Sequence, residues 1–144
     1  MDFKAGEIFA IDKPYRISSF GALAHVRYVL SRTLGCKVKI GHAGTLDPLA
    51  TGVLVLCTGK ATKRIEEFQG NSKEYTATLQ LGATTASYDR EHEVNATFPT
   101  VHISRALIAE TLPQFIGDIE QIPPTYSAVK VNGDRAYDLR RAVS

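Results

Sequence analysis

The sequence predicts an α+β fold, in which a mainly antiparallel mixed sheet is flanked by a few helices. Stretches with the pattern of strands outnumber stretches with the pattern of helices, and short turns separate neighbouring strands as in hairpins. Helical spacing of apolar residues occurs at 19–34 and again at 104–113. Parallel βαβ repeats are therefore not expected.

Length and composition favour a small globular domain without a membrane segment. The chain has 144 residues, of which 44% are hydrophobic and 22% charged, close to the averages of globular proteins. The net charge of +2 does not by itself indicate nucleic acid. Cys36 and Cys57 form neither a C-x-x-C pair nor a spacing typical of metal ligands, so no metal site is predicted. No signal peptide or membrane span is visible, and we expect a cytoplasmic location.

The first elements are a strand and a helix. Residues 7–12 alternate weakly and predict a strand that ends at Lys13-Pro14. Ser18 or Ser19 can cap the following helix, and Gly35 stands where a glycine often ends one. The apolar face of this helix is predicted to consist of Phe20, Leu23, Val26, Leu30 and Leu34.

The stretch from Gly41 to Lys63, GHAGTLDPLATGVLVLCTGKATK, combines a glycine-rich loop with a strand. Asp47 lies between Leu46 and Pro48, and the proline stiffens the turn that presents this carboxylate. The apolar run 53–57 predicts a buried strand behind it. A single acid on a rigid loop suits catalysis, although Asp before Pro is also an ordinary turn signal.

Later stretches are less distinctive. Residues 58–62 lack the full G-x-x-x-x-G-K-[ST] pattern, which excludes a nucleoside triphosphate loop. A short helix is predicted at 61–68, a strand at 73–82, an exposed loop at 84–95 and an extended piece at 115–122. In the strand, Tyr75 shares a face with Ala77, Leu79 and Leu81, so the pattern alone predicts a core tyrosine.

Four segments, in order, resemble the TruB-type tRNA pseudouridine-55 synthases. They are DKPYRISS at 12–19, GHAGTLDPLATG at 41–52, KEYTATLQLGATTASYD at 73–89 and IPPTYSAVKVNGDRAYDLRR at 122–141. The resemblance implies the pseudouridine-synthase-like sheet of the N-terminal catalytic half. One departure is Arg16, which replaces the family's glycine; if the backbone there needs a positive φ, either Arg16 bears strain or the loop differs.

The resemblance also implies an activity and a catalytic site. Isomerising uridine to pseudouridine breaks the N1–C1′ bond and joins C5 to C1′, which requires no redox cofactor and no metal. Asp47 matches the catalytic aspartate, and Tyr75 matches the tyrosine that stacks on the target base. His42 can contact the flipped nucleotide or fill its place. Without the resemblance, His42 is interpreted as a loop histidine with satisfied hydrogen bonds.

The implied partner is the T stem-loop of tRNA. Basic residues cluster at 36–64 and 126–144, where they suit a phosphate backbone, although a solvated surface is the alternative. Segment 122–144 matches the start of an insertion that grips the RNA. The substrate-binding candidates are His42, Gly44, Thr45, Lys63, Tyr126, Lys130 and Arg135.

The family's catalytic arginine and C-terminal RNA-binding module find no match in residues 1–144. We therefore expect a fragment of a longer enzyme, or a naturally shortened homologue, that is inactive alone. Uncovered sheet edges favour self-association. The alternative functions are a non-catalytic RNA-binding fragment and, with weaker support, a phosphate-binding or nucleotide-binding module.

Overall fold

The computed structural model describes residues 1–120, 130–131 and 134–135, with side chains described as far as residue 120. The chain divides into two compact units, Met1–Tyr75 and Thr76–Ser144, which are considered separately. The strands are β1 (Ile8–Lys13), β2 (Ile40–Ala43), β3 (Gly52–Thr58), β4 (Ala83–Thr85), β5 (Val94–Thr97), β6 (Lys130–Val131) and β7 (Asp134–Arg135). The helices are α1 (Ser19–Thr33), α2 (Ile65–Gln69) and α3 (Arg105–Thr111), with 3-10 turns at Gly59–Arg64 and Leu112–Phe115.

The first unit is built on a three-stranded antiparallel sheet in the order β1-β3-β2. The central strand β3 pairs on both sides, with Leu56 opposite Phe9 of β1 and His42 of β2. Leu54, Leu56, Cys57 and Thr58 of this strand are buried, as the apolar run predicts, whereas Val53 at its start is 74% exposed. The antiparallel α+β arrangement is confirmed.

Helix α1 packs on the sheet through a small core. Ala22 and Leu23 lie against Leu54 and Leu56, and Val26 is packed against the same cluster. The Ser18 hydroxyl accepts a hydrogen bond from the Gly21 amide at 3.0 Å, which confirms the predicted N-cap. The predicted core position of Phe20 is wrong, because Phe20 is 62% exposed, and the Arg27 guanidinium lies over its ring.

Helix α2 approaches β2 closely because Gly41 has no side chain. A Cβ atom built on Gly41 would lie 2.6 Å from Cδ1 of Ile65. Helix α2 therefore packs on the sheet at β2, in addition to the packing of α1. The helix predicted at 61–68 is present in two parts, as the 3-10 turn Gly59–Arg64 followed by α2.

The second unit contains an antiparallel β4–β5 pair and α3, which is capped by the Ser104 hydroxyl through the Leu107 amide at 3.1 Å. The loop prediction for 84–95 is wrong at both ends, where β4 and β5 lie. The β6–β7 pair is also antiparallel. None of the helices in the described part is long and apolar enough to cross a membrane.

The strand prediction for 73–82 is wrong. None of its residues belongs to a strand, and residues 73–81 are all exposed. Alternation predicts two faces, but a strand also needs a hydrogen-bonded neighbour, and no described strand pairs with this segment. The extended piece predicted at 115–122 forms no strand as far as residue 120, where Phe115 ends a 3-10 turn and Ile116 has an extended backbone; its last two residues lie outside the described part.

Candidate active site

Asp47 lies on the loop that connects β2 to β3 at one end of the three-stranded sheet. Its side chain is exposed, and among the described residues its carboxylate makes no hydrogen bond or ion pair. The backbone carbonyl of Asp47 accepts from the Ala50 amide at 3.0 Å and closes a tight turn around Pro48. A carboxylate with open lone pairs on a closed turn is available to a substrate.

The residues on both sides of Asp47 are held by the segment that follows β1. The Ser19 hydroxyl accepts from the Leu46 amide at 2.8 Å and donates to the Leu46 carbonyl at 3.0 Å. The Arg16 amide donates to the Pro48 carbonyl at 2.8 Å. Ser19 is buried, so water competes little for these bonds. The loop therefore presents Asp47 from a fixed backbone.

Lys13 is a buried cation between the two segments, and sequence reasoning did not single it out. The side chain is 0% exposed, and its ammonium group donates to the carbonyls of Pro14 at 3.1 Å, Ile17 at 2.6 Å and Pro48 at 3.4 Å. A buried ammonium needs such acceptors to offset its lost hydration. The available signal was a lysine closing a strand directly before a proline-bearing turn.

Arg16, which stands where the resembled family has glycine, adopts a positive φ, so of the two alternatives left by the sequence the structure shows strain at Arg16. Its φ is 64°, in the left-handed region that residues with a Cβ seldom occupy. The Arg16 amide is the one bonded to Pro48, and the Lys13 ammonium also reaches that carbonyl. The strained turn is therefore part of the support for the Asp47 loop.

His42 points along the same loop from β2. Its Nδ1 lies 2.5 Å from the carbonyl of Gly44, which has a φ of 104°. Since a carbonyl only accepts, Nδ1 is the donor in this contact, which leaves Nε2 as the ring nitrogen that can face a ligand. Thr45 is exposed on the same loop. The structure thus places Gly44, Thr45 and Asp47 on one loop, with His42 bonded to its start from the end of β2.

Tyr75 is 65% exposed, so its interpretation as a core residue is wrong. The segment before it passes close to the loop, because Cε of Lys73 lies 4.0 Å from the Cβ position of Gly44. The Lys73 ammonium donates to the carbonyls of Gln69 at 2.7 Å and Asn71 at 3.0 Å, which fixes this segment. No hydrogen bond or ring contact in the described part joins Tyr75 to Asp47.

The remaining candidates are more scattered. Lys63 is exposed at the end of the 3-10 turn, beside an Arg64 whose guanidinium pairs with Glu67 at 3.0 Å. The hydrogen bond and charge of Glu67 raise the pKa of Arg64. Lys130 and Arg135 lie opposite each other in the β6–β7 pair. Tyr126 lies outside the described residues.

Other reactive side chains do not compete with Asp47. Cys57 is fully buried in β3, and its burial raises the pKa of the thiol, which disfavours the nucleophilic thiolate. Among residues with described side chains, no three His, Cys, Asp or Glu side chains are grouped to hold a metal ion. Asp47 is thus a candidate reactive group that is both exposed and carried on a loop fixed by hydrogen bonds.

Residues 31–143 match the family model described as TruB family pseudouridylate synthase (N terminal domain). The chain belongs to this family. This membership confirms the resemblance carried by the four segments, and with the antiparallel sheets it confirms the fold class. The family is one of isomerases that form pseudouridine.

Proteins with the printed name "tRNA pseudouridine synthase B" are similar to nearly the whole chain. That of Phocaeicola vulgatus is 63% identical over 98% of the chain, and that of Bacteroides thetaiotaomicron is 62% identical over the same share. A more distant relative from Clostridium kluyveri is 46% identical over 93% of the chain. The chain covers 60% and 59% of the first two relatives and 44% of the third.

Proposed function

We propose that the protein containing this chain isomerises uridine to pseudouridine at position 55, in the T stem-loop of tRNA. The observation that carries the proposal is the exposed, unpaired carboxylate of Asp47 on a pinned loop in a member of this family. The printed names of the similar proteins support tRNA as the substrate. A tRNA substrate also fits a cytoplasmic location, which remains part of the proposal.

Asp47 serves in this mechanism as the carboxylate beside the ribose, as nucleophile or as base. The N1–C1′ bond breaks, the base rotates, and a C5–C1′ bond forms. C5 then loses its proton while N1 gains one, so the base and the sugar keep all their other atoms. Because the reaction only rearranges bonds and protons, it requires no external oxidant or reductant.

The other candidate residues take roles that the family resemblance implies and that their exposure or loop position supports. The exposed ring of Tyr75 offers a stacking face for a base that has left its stack, and its hydroxyl can take part in proton transfer. His42 offers Nε2 to a flipped nucleotide or fills the space it leaves. Gly44 and Thr45 lie on the same loop as Asp47 and serve as substrate contacts in the proposal, and the exposed Lys63 supplies positive charge for phosphate.

The RNA contact is completed in the proposal by Tyr126, Lys130 and Arg135 of the 122–144 segment. The alternative function is RNA binding without catalysis by the same basic residues. Asp47 favours catalysis, because an exposed carboxylate facing a polyanion weakens simple binding.

The proposal is tested by tritium release from tRNA that carries 5-tritiated uridine, using the protein expressed from the complete gene. The wild-type protein should release tritium in proportion to pseudouridine formed. A matched tRNA with cytidine at position 55 should release none above background. Equal release from both tRNAs contradicts the assignment of position 55, and no release from either contradicts the activity.

A further inference from the structure

An open groove lined by positive charge lies in the first unit, away from the Asp47 loop. Its volume is about 320 Å³, and its lining residues are Arg27, Lys37, Val38, Lys39 and Ile40. Three of these five side chains are cationic, and none is acidic. Helix α1 supplies Arg27, whereas the other four precede or begin β2.

The wall that carries the two lysines is anchored at three points. The Val38 side chain is 2% exposed, and its amide donates to the Ser31 hydroxyl at 3.2 Å. The Cys36 amide donates to the Ser31 carbonyl at 3.1 Å, and the Lys39 carbonyl accepts from the Gly59 amide at 2.9 Å. Lys37 and Lys39 are exposed on either side of buried Val38. The backbone of this wall is therefore fixed, and both lysines on it are exposed to solvent.

These three cations, Lys37, Lys39 and Arg27, have no salt-bridge partner in the part of the chain that the structure describes. The Arg27 guanidinium instead lies 6.0 Å from the centre of the Phe20 ring, a contact that keeps its charge. Three uncompensated positive charges around one open groove create an attractive potential for an anion.

We propose that this groove binds the sugar–phosphate backbone of the tRNA, as a second contact separate from the uridine site. The groove is open, and both lysines border it, which suits an extended polyanion better than a small enclosed nucleotide. β2 leads directly from Ile40 in the groove to the loop that begins at Gly44. Four strand residues span roughly 13 Å, so one RNA stem can reach both places.

The identity of the bound RNA rests on the proposed function, but the contact itself is tested independently. The variant Lys37→Gln/Lys39→Gln removes two charges and leaves Arg27 in place, which protects the contact with Phe20. The control Lys4→Gln/Arg105→Gln removes the same charge from two other exposed positions. Both are made in the protein from the complete gene, and folding is checked by circular dichroism.

The measurement is the tRNA dissociation constant over a series of salt concentrations. Each phosphate contact contributes about 0.7–0.9 to the slope of log affinity against log salt. The groove variant should therefore lose about 1.4–1.8 from the slope and bind roughly 10-fold more weakly near physiological salt. The control should keep the wild-type slope. Single replacements of Lys37 or Lys39 should each lose about half as much, and they carry the test if the double variant misfolds.

An unchanged slope in the groove variant overturns the proposal and would leave an acidic protein as the better partner for the groove. An equal loss in the control also overturns it, since the effect would then be one of net charge alone. Wild-type protein that binds tRNA but releases no tritium contradicts the proposed activity and leaves the groove result unaffected.

Discussion

At the scale of single residues, the position of Asp47 depends on partners that lie elsewhere in the sequence. Lys13 and Arg16 both bond the Pro48 carbonyl, and Ser19 bonds Leu46 on the other side. Asp47 itself forms no side-chain bond within the described part. Hydrogen bonds thus fix the residues on both sides of Asp47 and leave its carboxylate open to a ligand.

Replacing Lys13 by Met should loosen this support. The change leaves three carbonyls without their shared donor, and unsatisfied buried acceptors cost about 1–3 kcal/mol in the free energy of unfolding. Turnover should fall by more than tRNA affinity, because the Asp47 loop loses a contact while the basic surfaces remain. Urea denaturation and tritium release measure the two effects. An exposed control, Lys4→Met, should change neither, and wild-type values in Lys13→Met would show that the contact is dispensable.

Tyr75 is tested by two replacements that separate its ring from its hydroxyl. Tyr75→Phe keeps the stacking face, so turnover should fall while tRNA binding persists if the hydroxyl moves a proton. Tyr75→Leu removes the platform and should also weaken binding of a flipped base by about 1–3 kcal/mol. Since the side chain is 65% exposed, neither change should disturb folding. Wild-type turnover in both variants would remove Tyr75 from the site.

The sequence predicted part of this arrangement. The stiff loop around Asp47 was predictable because glycine and proline act on the backbone of their immediate neighbours. The sequence left open whether Arg16 is strained or its loop differs, and the φ of 64° decides for strain. The buried ammonium of Lys13 could not be predicted, because its Pro48 acceptor lies 35 residues away. The exposure of Tyr75 was also missed. Alternation of apolar and polar residues predicts two faces of a strand, but it does not show whether another element covers the apolar face.

At the scale of secondary structure elements, the packing of α2 on β2 depends on the missing side chain at Gly41. Gly41→Ala would place a methyl group 2.6 Å from Cδ1 of Ile65. Crowding of this kind costs about 1–3 kcal/mol, more than the roughly 0.5–1 kcal/mol gained by replacing a strand glycine. We expect a net loss of stability in urea denaturation.

Ile65→Val removes the clashing Cδ1 atom and provides the control for this contact. By itself it should cost about 0.5–1.5 kcal/mol. In the double variant with Gly41→Ala, the loss should be smaller than the sum of the two single losses. Simple additivity would show that the crowding lies elsewhere.

Among the elements, β1, β3 and α1 were predictable because each has apolar residues at the spacing of a face that packs in the core. The α1 boundaries follow from the Ser18 cap and from Gly35 just beyond the helix. β4 and β5 were missed because they are short and polar, and all residues of β5 are exposed. Their pairing is therefore not recorded in any apolar pattern.

At the scale of the whole molecule, the two units differ in how much apolar surface they cover. The first has a small core between α1 and the sheet. In the second, Val101 is 98% exposed, Leu79 and Ile116 are each 77% exposed, and Phe115 is 65% exposed. Large exposed apolar side chains of this kind are typical of surfaces that other protein segments cover.

Residues 1–144, produced alone, should therefore self-associate. The expected result in size-exclusion chromatography with light scattering is a mass above 15.7 kDa that rises with concentration. The same measurement on the protein from the complete gene is the control, and it should show less concentration dependence. A strictly monomeric 144-residue chain at all concentrations would contradict this prediction.

The most direct test of the central claim is single-turnover tritium release by Asp47→Asn with saturating tRNA. Asparagine keeps the size of the side chain and removes its negative charge, so folding and tRNA affinity should persist while release falls to background. Asp12→Asn, which changes an exposed aspartate of β1, is the matched control and should release tritium at the wild-type rate. Substantial release by Asp47→Asn would contradict the assignment of Asp47 as the catalytic carboxylate.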